Sequence, residues 1–408
     1  MTGILVRAKS LADADLLETE LVNAGYDFER KKGLKKVFDI ETNLNDFSLK
    51  GSSLIAQARS KSELKNQVHK PAYVVQDLPN IDATTLDIND PSWALGRICR
   101  KLPNWNRDLP PNNLSTSFHS VRTGKGVDAY IIESAGWAPT HPDFEGRAKR
   151  LDGTTWADGN PLTDHANAVA SCTGGKVCGV AKECDIWMVQ AGFGNGFDTL
   201  ELAVAIDELL IHYNSRAGLN RPAVINMSTI GPVLGIDLIE DCMEVGIVWV
   251  QPAGNDKNYI EAGNSVNSQA AVHPEMINVG ASTLSDHIVV RGAFLSSYGP
   301  DIDVYAPGLN IYTARTTTDA QYRSWSGTSF SGPYTAGVVA CMLQGYGRLT
   351  NRTQVMAVKQ KLRANCTVPV RVPPSYAHFY TYPPENAGGL LYLDPFKSFE
   401  QIPGVPTL

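Results

Sequence analysis

The chain has 408 residues, of which 43% are hydrophobic and 19% charged, and a net charge of −6. This composition is typical of a soluble globular protein, and the length suffices for one large α/β domain and a small one. A mild acidic excess without a basic stretch argues against nucleic acid as a partner, and no apolar run approaches the roughly 18 residues that span a bilayer membrane. The first ten residues have no signal-peptide pattern, so we expect an intracellular protein or, alternatively, one packaged in a virion or another assembly.

The first 80 residues are predicted to form a small α+β domain, because short strand patterns surround a helical one. Apolar residues recur at helical spacing from Leu11 to Ala24, and Gly25 closes that helix. The other predicted elements of this domain are strands at 3–8, 37–40 and 72–77 and a second helix at 60–68. Residues 81–125 are polar and rich in Pro and Asn, which indicates a linker and a surface-wrapping arm.

From residue 126 to residue 408 strands and helices alternate, which predicts a mostly parallel sheet with helices on both faces. The predicted strands are 127–132, 184–189, 223–228, 246–251 and 276–281, and the predicted helices are 165–173, 198–212 and 234–245. The last sixty or so residues are predicted to form a tail packed on this domain. The fold class is therefore α/β, preceded by the small α+β domain.

One turn presents a serine to the start of an apolar helix. Gly327 permits a sharp bend with an unusual φ, and Ser329 follows it where free backbone N–H groups favour developing negative charge. Residues 336–343 are apolar nearly all round, so the helix is expected to be buried. We expect Pro333 in the first turn of this helix, where a missing N–H is harmless. Such a helix is a good mount for a nucleophile.

Four motifs of this chain resemble those of the subtilases, the subtilisin-like serine proteases. Residues 327–333, Gly-Thr-Ser-Phe-Ser-Gly-Pro, resemble the serine motif Gly-Thr-Ser-Met-Ala-x-Pro, and residues 165–170 resemble His-Gly-Thr-His-Val-Ala. Residues 252–255, Pro-Ala-Gly-Asn, resemble Ala-Ala-Gly-Asn, and residues 140–147 resemble a His-Pro-x-Phe-x-Gly-Arg segment of the proteinase K branch. The resemblance covers about 90–343 and implies a subtilisin-like fold.

The resemblance also implies catalytic roles. Ser329 would be the nucleophile, His165 the general base, and the Asn255 amide with the Ser329 N–H the oxyanion hole. The orienting aspartate of the family is replaced by Glu133, followed by what looks like a one-residue insertion. Glutamate can still accept the imidazole N–H, which gives a Glu-His-Ser triad. The alternative is a broken triad in which Glu133 is a bystander, with Asp128 and Asp143 as weaker substitutes.

Substrate is expected to be a polypeptide that adds as a strand to the cleft edge. Ser228, Thr229, Ile230 and Gly231 match one edge of the family's cleft, and Gly194 lies in the opposite edge. The first 80 residues resemble the family's inhibitory propeptide, so the chain's own N-terminal segment is a further expected partner. In that case the chain is a zymogen, and the cut is expected between about Leu78 and Asp90.

No cofactor or metal is expected, although calcium is a common structural ion in the family. No calcium ligand set carries over residue by residue. Cys172, Cys178 and Cys184 are evenly spaced, and three interpretations remain open for them: small apolar residues, a local disulfide, or a metal site with unusual spacing.

The sequence therefore predicts a serine endopeptidase that works through an acyl-enzyme. The alternative function is a catalytically impaired subtilase-fold protein that acts as a peptide-binding or structural subunit of an assembly.

Overall fold

The computed structural model describes most of the chain, and every structural statement below refers to these residues. They are 4–8, 11–30, 37–41, 47, 55–60, 68–71, 93–99, 118, 120–134, 137–151, 164–192, 196–230, 236–260, 273, 275–291, 294–316, 322–373, 388–394 and 401–408.

The N-terminal part forms its own small sheet and core. Strands β1 (Ile4–Ala8), β2 (Phe28–Arg30), β3 (Val37–Ile40) and β4 (Ile55–Ser60) pair in the order β2-β3-β1-β4, and helix α1 (Leu11–Asn23) packs against β1. Buried apolar side chains from these elements make a separate cluster: Val6, Ala8, Ala14, Leu17, Leu21, Phe38, Ile40 and Phe47. The first helix and the strands at 3–8 and 37–40 are thereby confirmed.

The second predicted helix of this part, at 60–68, is wrong at both ends. Ser60 is the last residue of β4, and Val68 is the first residue of strand β5 (Val68–Pro71). Strand pairing determines the conformation of these two residues, because β4 pairs with β1 and β5 pairs with two strands of the main domain. The predicted strand at 72–77 lies outside the described residues.

Eight parallel strands form the central sheet of the main domain. They are β6 (Asp128–Glu133), β7 (Ala148–Arg150), β8 (Asp185–Gln190), β10 (Ala223–Met227), β12 (Ile247–Pro252), β13 (Ile277–Ser282), β16 (Val304–Pro307) and β19 (Gly389–Leu390). Their order is β19-β16-β13-β12-β10-β6-β8-β7, and every neighbouring pair is parallel. Apart from the edge strand β7, the strands are almost continuously buried, as expected for a sheet that other elements cover. The α/β fold class is confirmed.

Six helices accompany this sheet in the described residues: α2 (Trp93–Ile98), α3 (His165–Gly174), α4 (Thr199–Ser215), α5 (Ile236–Glu244), α6 (Thr328–Leu343) and α7 (Arg352–Asn365). Helix α6 is buried along its whole length and contacts α3 and the middle strands β10, β12 and β13. None of the described helices is long and apolar enough to cross a membrane.

A short helix within the predicted arm is buried in the main domain. Four residues of α2, Ala94, Leu95, Arg97 and Ile98, are at most 2% exposed, and Trp93 donates its indole N–H to the carbonyl of Asn310. Arg97 forms a buried ion pair with Asp286, and Leu393 bonds to the carbonyl of Ile98. This segment is therefore a fixed part of the domain and no surface linker.

Shorter strands frame the region above the carboxyl ends of the sheet. Strands β17 (Ile311–Ala314) and β18 (Tyr322–Trp325) form an antiparallel pair that leads into α6, and β14 (Val290–Arg291) pairs with β15 (Phe294–Leu295). Strand β5 lies between β11 (Thr229–Ile230) and β9 (Phe197–Asp198) and is antiparallel to both. A strand of the N-terminal segment thus fills the gap between two edges of the main domain.

Candidate active site

The topology of the sheet places three polar side chains at one crevice. The chain enters the sheet at β6, adds β7 and β8 on one side, and adds β10, β12, β13 and β16 on the other. Open α/β sheets bind ligands at the carboxyl ends of the strands where this order reverses. Glu133 ends β6, His165 begins α3, and Ser329 is the second residue of α6.

Glu133 and His165 are joined by a buried hydrogen bond. The distance from His165 Nδ1 to Glu133 Oε2 is 3.1 Å, and each side chain is 1% exposed. A carboxylate oxygen only accepts, so Nδ1 carries the hydrogen and Nε2 is the basic nitrogen of the neutral ring. The rings of Trp325 and Phe330 flank the imidazole edge-on, with centroids at 6.4 and 5.7 Å. The imidazole is therefore fixed in orientation and tautomer.

The turn before Ser329 has the geometry that the sequence predicts. Gly327 has a φ of 157° and a ψ of 157°, a conformation that essentially only glycine adopts. The Ser329 hydroxyl donates to the carbonyl of Ser228 at 3.0 Å. In return the Ser228 hydroxyl donates to the carbonyl of Ser329 at 2.7 Å, and Asn226 Nδ2 donates to that same hydroxyl oxygen at 2.9 Å.

Pro333 is not in the first turn of α6, contrary to the sequence prediction. The helix begins at Thr328, so Pro333 is its sixth residue. A proline there has no N–H for the carbonyl four residues earlier, which is that of Ser329. The Ser228 hydroxyl occupies this carbonyl instead. The proline thereby frees the backbone of Ser329 to bond with the strand beside the crevice.

The Asn255 amide is held by two donors from the start of α6. Its Oδ1 accepts from the Thr328 N–H at 3.0 Å and from the Thr328 hydroxyl at 2.8 Å. Gly254, with a φ of 99°, brings its own N–H to 3.2 Å from the same hydroxyl oxygen. With Oδ1 engaged in this way, the Nδ2 group is the end of the amide that can donate to a ligand.

Strand β5 lies between β11, which includes two residues of the predicted cleft edge, and β9, which follows the other predicted edge in the chain. Thr229 pairs with Pro71 and Ile230 with Lys70, while Phe197 and Asp198 pair with the other side of β5. Ser228 and Thr229 are fully buried, and the carbonyl of Thr229 accepts from the Gln251 amide. Gly231 and Gly194, also predicted for substrate, lie outside the described residues.

The two alternative acids occupy other surroundings. Asp128 begins β6, at the end of the strand opposite to Glu133, and bonds to the Trp187 indole at 3.1 Å. Asp143 accepts from the Val177 N–H at 2.6 Å, and burial raises the pKa of its carboxyl. The carboxylate that is bonded to the imidazole is that of Glu133.

Two further polar residues next to His165 escaped the sequence analysis. Asp164 accepts from the Thr316 N–H at 2.8 Å and forms ion pairs with Arg315 at 3.0 Å and Arg323 at 3.3 Å. Asn167 is fully buried on α3. Its signal in the sequence is a lone amide within an otherwise small and apolar run.

All seven cysteines are free thiols, so the interpretation of a local disulfide is wrong. Cys172, Cys178 and Cys184 are buried, and burial raises the pKa of the Cys184 thiol to about 12. Within the described part of the chain no group of three or more His, Cys, Asp or Glu side chains is arranged to hold a metal ion. The arrangement favours the interpretation of small apolar residues.

Comparisons with known proteins show that the chain is similar to subtilisin-like serine proteases. The chain is 30% identical over 329 residues to the subtilisin-like serine protease Pen ch 18 of Penicillium rubens; the match covers 78% of this chain and 62% of that protein's length. It is 30% identical over 291 residues to subtilisin-like protease 3 of Arthroderma benhamiae, with 70% of this chain and 67% of that protein covered. The crystal structure of a cold-adapted subtilisin-like serine proteinase matches with a TM-score of 0.57 and 28% identity, over 74% of this chain and 97% of the other.

The sequence comparison with protein families gives the same answer. Residues 125–376, which hold all four motifs, match the family model described as the subtilase family. The chain therefore belongs to the subtilase family.

Proposed function

We propose that this protein is a serine endopeptidase with a Glu133–His165–Ser329 triad. The observation that carries the proposal is the 3.1 Å bond between His165 Nδ1 and Glu133 Oε2, both buried, with the imidazole against the ring of Phe330, the residue that follows Ser329. The departure from the family's usual triad acid thus still supplies a carboxylate at the imidazole. Family membership supports peptide hydrolysis as the reaction.

The proposed reaction assigns one step to each of these groups. The Ser329 hydroxyl leaves its bond to the Ser228 carbonyl, transfers its proton to His165 Nε2 and attacks the carbonyl carbon of the scissile bond. Glu133 stabilises the imidazolium that forms. The oxyanion is held by the Asn255 Nδ2 group and the Ser329 N–H, which lies at the positive end of α6. The tetrahedral adduct expels the amine, which takes the proton from His165, and water then hydrolyses the acyl-enzyme by the same path.

The substrate proposal rests on the two edges beside β5. An extended polypeptide that added to Thr229 and Ile230 would place its next residues at Ser228, whose carbonyl touches the Ser329 hydroxyl. Gly231 and Gly194 belong to the same proposed surface.

The chain's own N-terminal segment is the proposed inhibitor of this cleft. Its strand β5 pairs with both edges, so substrate and segment compete for the same backbone groups. This makes the full-length chain a zymogen. The cut expected between about Leu78 and Asp90 falls outside the described residues and stays a prediction.

A fluorophosphonate probe tests the proposal, because it phosphonylates only an activated serine. Intact mass spectrometry of the purified full-length chain, followed over time, should show one probe adduct that grows as the N-terminal segment is lost. Ser329→Ala should abolish the adduct. The matched control is Ser331→Ala, which lies on the same buried turn but bonds to the carbonyls of Ala306 and Pro307. It should still be labelled.

The opposite result has a definite meaning. If neither the full-length nor the trimmed chain is labelled, the hydrolase proposal fails. The protein is then a peptide-binding or structural subunit that keeps the fold.

A further inference from the structure

The segment after Glu133 and the helix that carries His165 are joined by one buried side chain, that of Asn167. Its Oδ1 accepts the Ala138 N–H at 3.0 Å, and its Nδ2 donates to the carbonyl of Arg315. Asn167 is fully buried, and its amide is paired at both ends by these two backbone groups. One amide therefore connects three segments of the chain.

Each of these segments bears on the triad. Asn167 is two residues after His165 on α3, and Ala138 is five residues after Glu133. Arg315 follows β17, whose partner β18 runs through Trp325 to the nucleophile turn. The Arg315 side chain also pairs with Asp164, the residue immediately before His165.

The backbone of Glu133 is fixed on its other side by the sheet. Its carbonyl accepts the Ala191 N–H at 2.8 Å, next to β8. Ala138 is in turn tied forward, because its carbonyl accepts the His141 N–H at 3.0 Å. The bond from Asn167 to Ala138 is thus a direct link between the helix of the base and the connection that follows the acid.

Such a link matters because this acid is a glutamate. The glutamate side chain is one methylene longer than an aspartate side chain and has one more rotatable bond, so its carboxylate can occupy more positions. Much of the rate acceleration from a catalytic pair depends on holding the two groups in one geometry. A misplacement of about 1 Å can lower the rate 10²-fold.

We propose that Asn167 is a positioning residue, which sets the distance between the Glu133 carboxylate and the His165 imidazole. This inference rests on the proposed peptidase function and goes beyond it, since the partners of the Asn167 side chain among the described residues are two backbone groups outside the triad. It acts through Glu133, and its effect must vanish when the Glu133 carboxylate is removed.

Asn167→Ala removes both bonds and is the first variant to measure. With an activated full-length preparation, kcat for a peptide substrate should fall about 10- to 100-fold, while KM changes by less than about threefold. The acid limb of the kcat/KM profile should move to lower pH by about half a unit or more, because a displaced carboxylate stabilises the imidazolium less. Asn167→Thr, which keeps one polar group, should give an intermediate loss and guards against misfolding of the alanine variant.

Ser171→Ala is the matched control. Ser171 is buried on the same helix and also ties it to the β17 region, because its hydroxyl oxygen accepts the Ala314 N–H at 3.1 Å. Among the described residues, its hydroxyl makes no bond to the segment after Glu133. This variant should lose thermal stability as Asn167→Ala does, yet keep the wild-type pH profile.

A double-mutant cycle decides the assignment. Glu133→Gln with Asn167→Ala should be no slower than Glu133→Gln alone, within about threefold, because residues that act as a unit are not additive. A readout without turnover is the low-field proton resonance of the His165 Nδ1–H in Ser329→Ala protein, which Asn167→Ala should shift or broaden and Ser171→Ala should leave in place.

Two different results would overturn two different claims. If Glu133→Gln is as active as wild type, the proposed triad fails. If Glu133→Gln is impaired but the losses add in the double variant, or if Asn167→Ala keeps the wild-type pH profile and resonance, the triad stands and Asn167 is only a structural residue.

Discussion

Ser228 and Ser329 exchange hydrogen bonds in both directions: each hydroxyl donates to the carbonyl of the other residue, at 2.7 and 3.0 Å. The strand edge proposed for substrate and the proposed nucleophile are therefore one rigid unit. The exchange depends on Pro333, because the carbonyl of Ser329 would otherwise be used inside α6. A peptide bound along this edge is registered directly to the attacking oxygen.

Ser228→Ala should break this unit and leave the buried carbonyl of Ser329 without a donor. The expected loss is about 1–3 kcal/mol in the free energy of unfolding, together with a fall in kcat/KM. Pro333→Ala supplies an N–H at the right place in the helix, so Ser228→Ala/Pro333→Ala should regain part of the stability. Its activity should stay low, because Ser329 remains uncoupled from the strand. Urea unfolding of phosphonylated protein measures the first effect; equal stability of the single and double variants would contradict the explanation.

Asn255→Asp isolates the oxyanion donor. The carboxylate keeps an oxygen for the two donors from Thr328 but has no N–H for the substrate. We expect kcat to fall by about 10²–10³-fold with KM nearly unchanged, a magnitude known for this donor in subtilisin itself and not obtained from the present structure. Active-site titration followed by steady-state kinetics checks it. Wild-type kcat in this variant would mean that the oxyanion is held elsewhere.

We expect kcat to fall both in Glu133→Gln and in Glu133→Asp. Glu133→Gln can present its N–H to the imidazole and stabilise the wrong tautomer, a change that costs about 10⁴ in kcat in a Ser-His-Asp triad. Glu133→Asp restores the usual acid of the family but withdraws the carboxylate by one methylene from a bond that is now 3.1 Å. We expect a loss of about 10²-fold in kcat. If Glu133→Asp matched wild type, the segment that follows would have to be adaptable, and the role proposed for Asn167 would weaken.

Much of this fold was predictable, because periodicity and turn residues act locally. The buried strand that ends in Glu133 and the helix that begins at His165 lie within one residue of their predicted bounds. The serine and histidine motifs are equally local, so their placement followed from the sequence.

What escaped prediction depends on contacts between distant segments. The predicted helix at 60–68 is wrong at its two end residues, because Ser60 lies in β4 and Val68 in β5, and both strands pair with segments outside the local sequence. Pro333 was predicted for a first turn, since nothing local reveals that Ser228 will bond to the freed carbonyl. Asn167 lies in the histidine motif at a position where it departs from the family's residue, and its two partners are 29 and 148 residues away.

Asp164 should make stability fall at acid pH. Burial alone would raise the pKa of this carboxyl, but hydrogen bonds from Thr316 and Arg315 outweigh it and hold the pKa below its usual value. A depressed pKa means that the stabilisation is complete above the unfolded value of about 3.9 and is lost as the pH falls through the folded value. Thermal unfolding of Ser329→Ala protein should show that Asp164→Asn is destabilising at pH 7 and that the difference shrinks toward pH 3.

Arg315→Gln is the companion variant for that experiment. It should destabilise the wild-type background, where Arg315 pairs with Asp164 at 3.0 Å. In the Asp164→Asn background, Arg315→Gln should lower the thermal stability by less than it does in the wild-type background. A difference between Asp164→Asn and its parent that grows at low pH would reverse the sign and refute the assignment.

The ion pair between Arg97 and Asp286 anchors α2 in the main domain. Their side chains are 2% and 1% exposed, so removing one partner strands a charge in the interior, at an expected loss of about 3–5 kcal/mol in the free energy of unfolding. Asp286 has a φ of 62°, which asparagine also tolerates, so Asp286→Asn changes the charge and little else.

Removing both charges should lower the free energy of unfolding by less than removing one charge does. The single variant leaves an unpaired buried charge, whereas the double variant also avoids the cost of desolvating the pair. Urea unfolding of Ser329→Ala protein should therefore rank Arg97→Met/Asp286→Asn as more stable than either single variant. If instead the two losses add, the pair is not an isolated buried unit.

The same anchoring predicts that residues from Trp93 onward remain on the domain once the N-terminal segment is cut. Mild proteolysis of the trimmed wild-type protein should therefore spare α2, whereas in Asp286→Asn it should release α2.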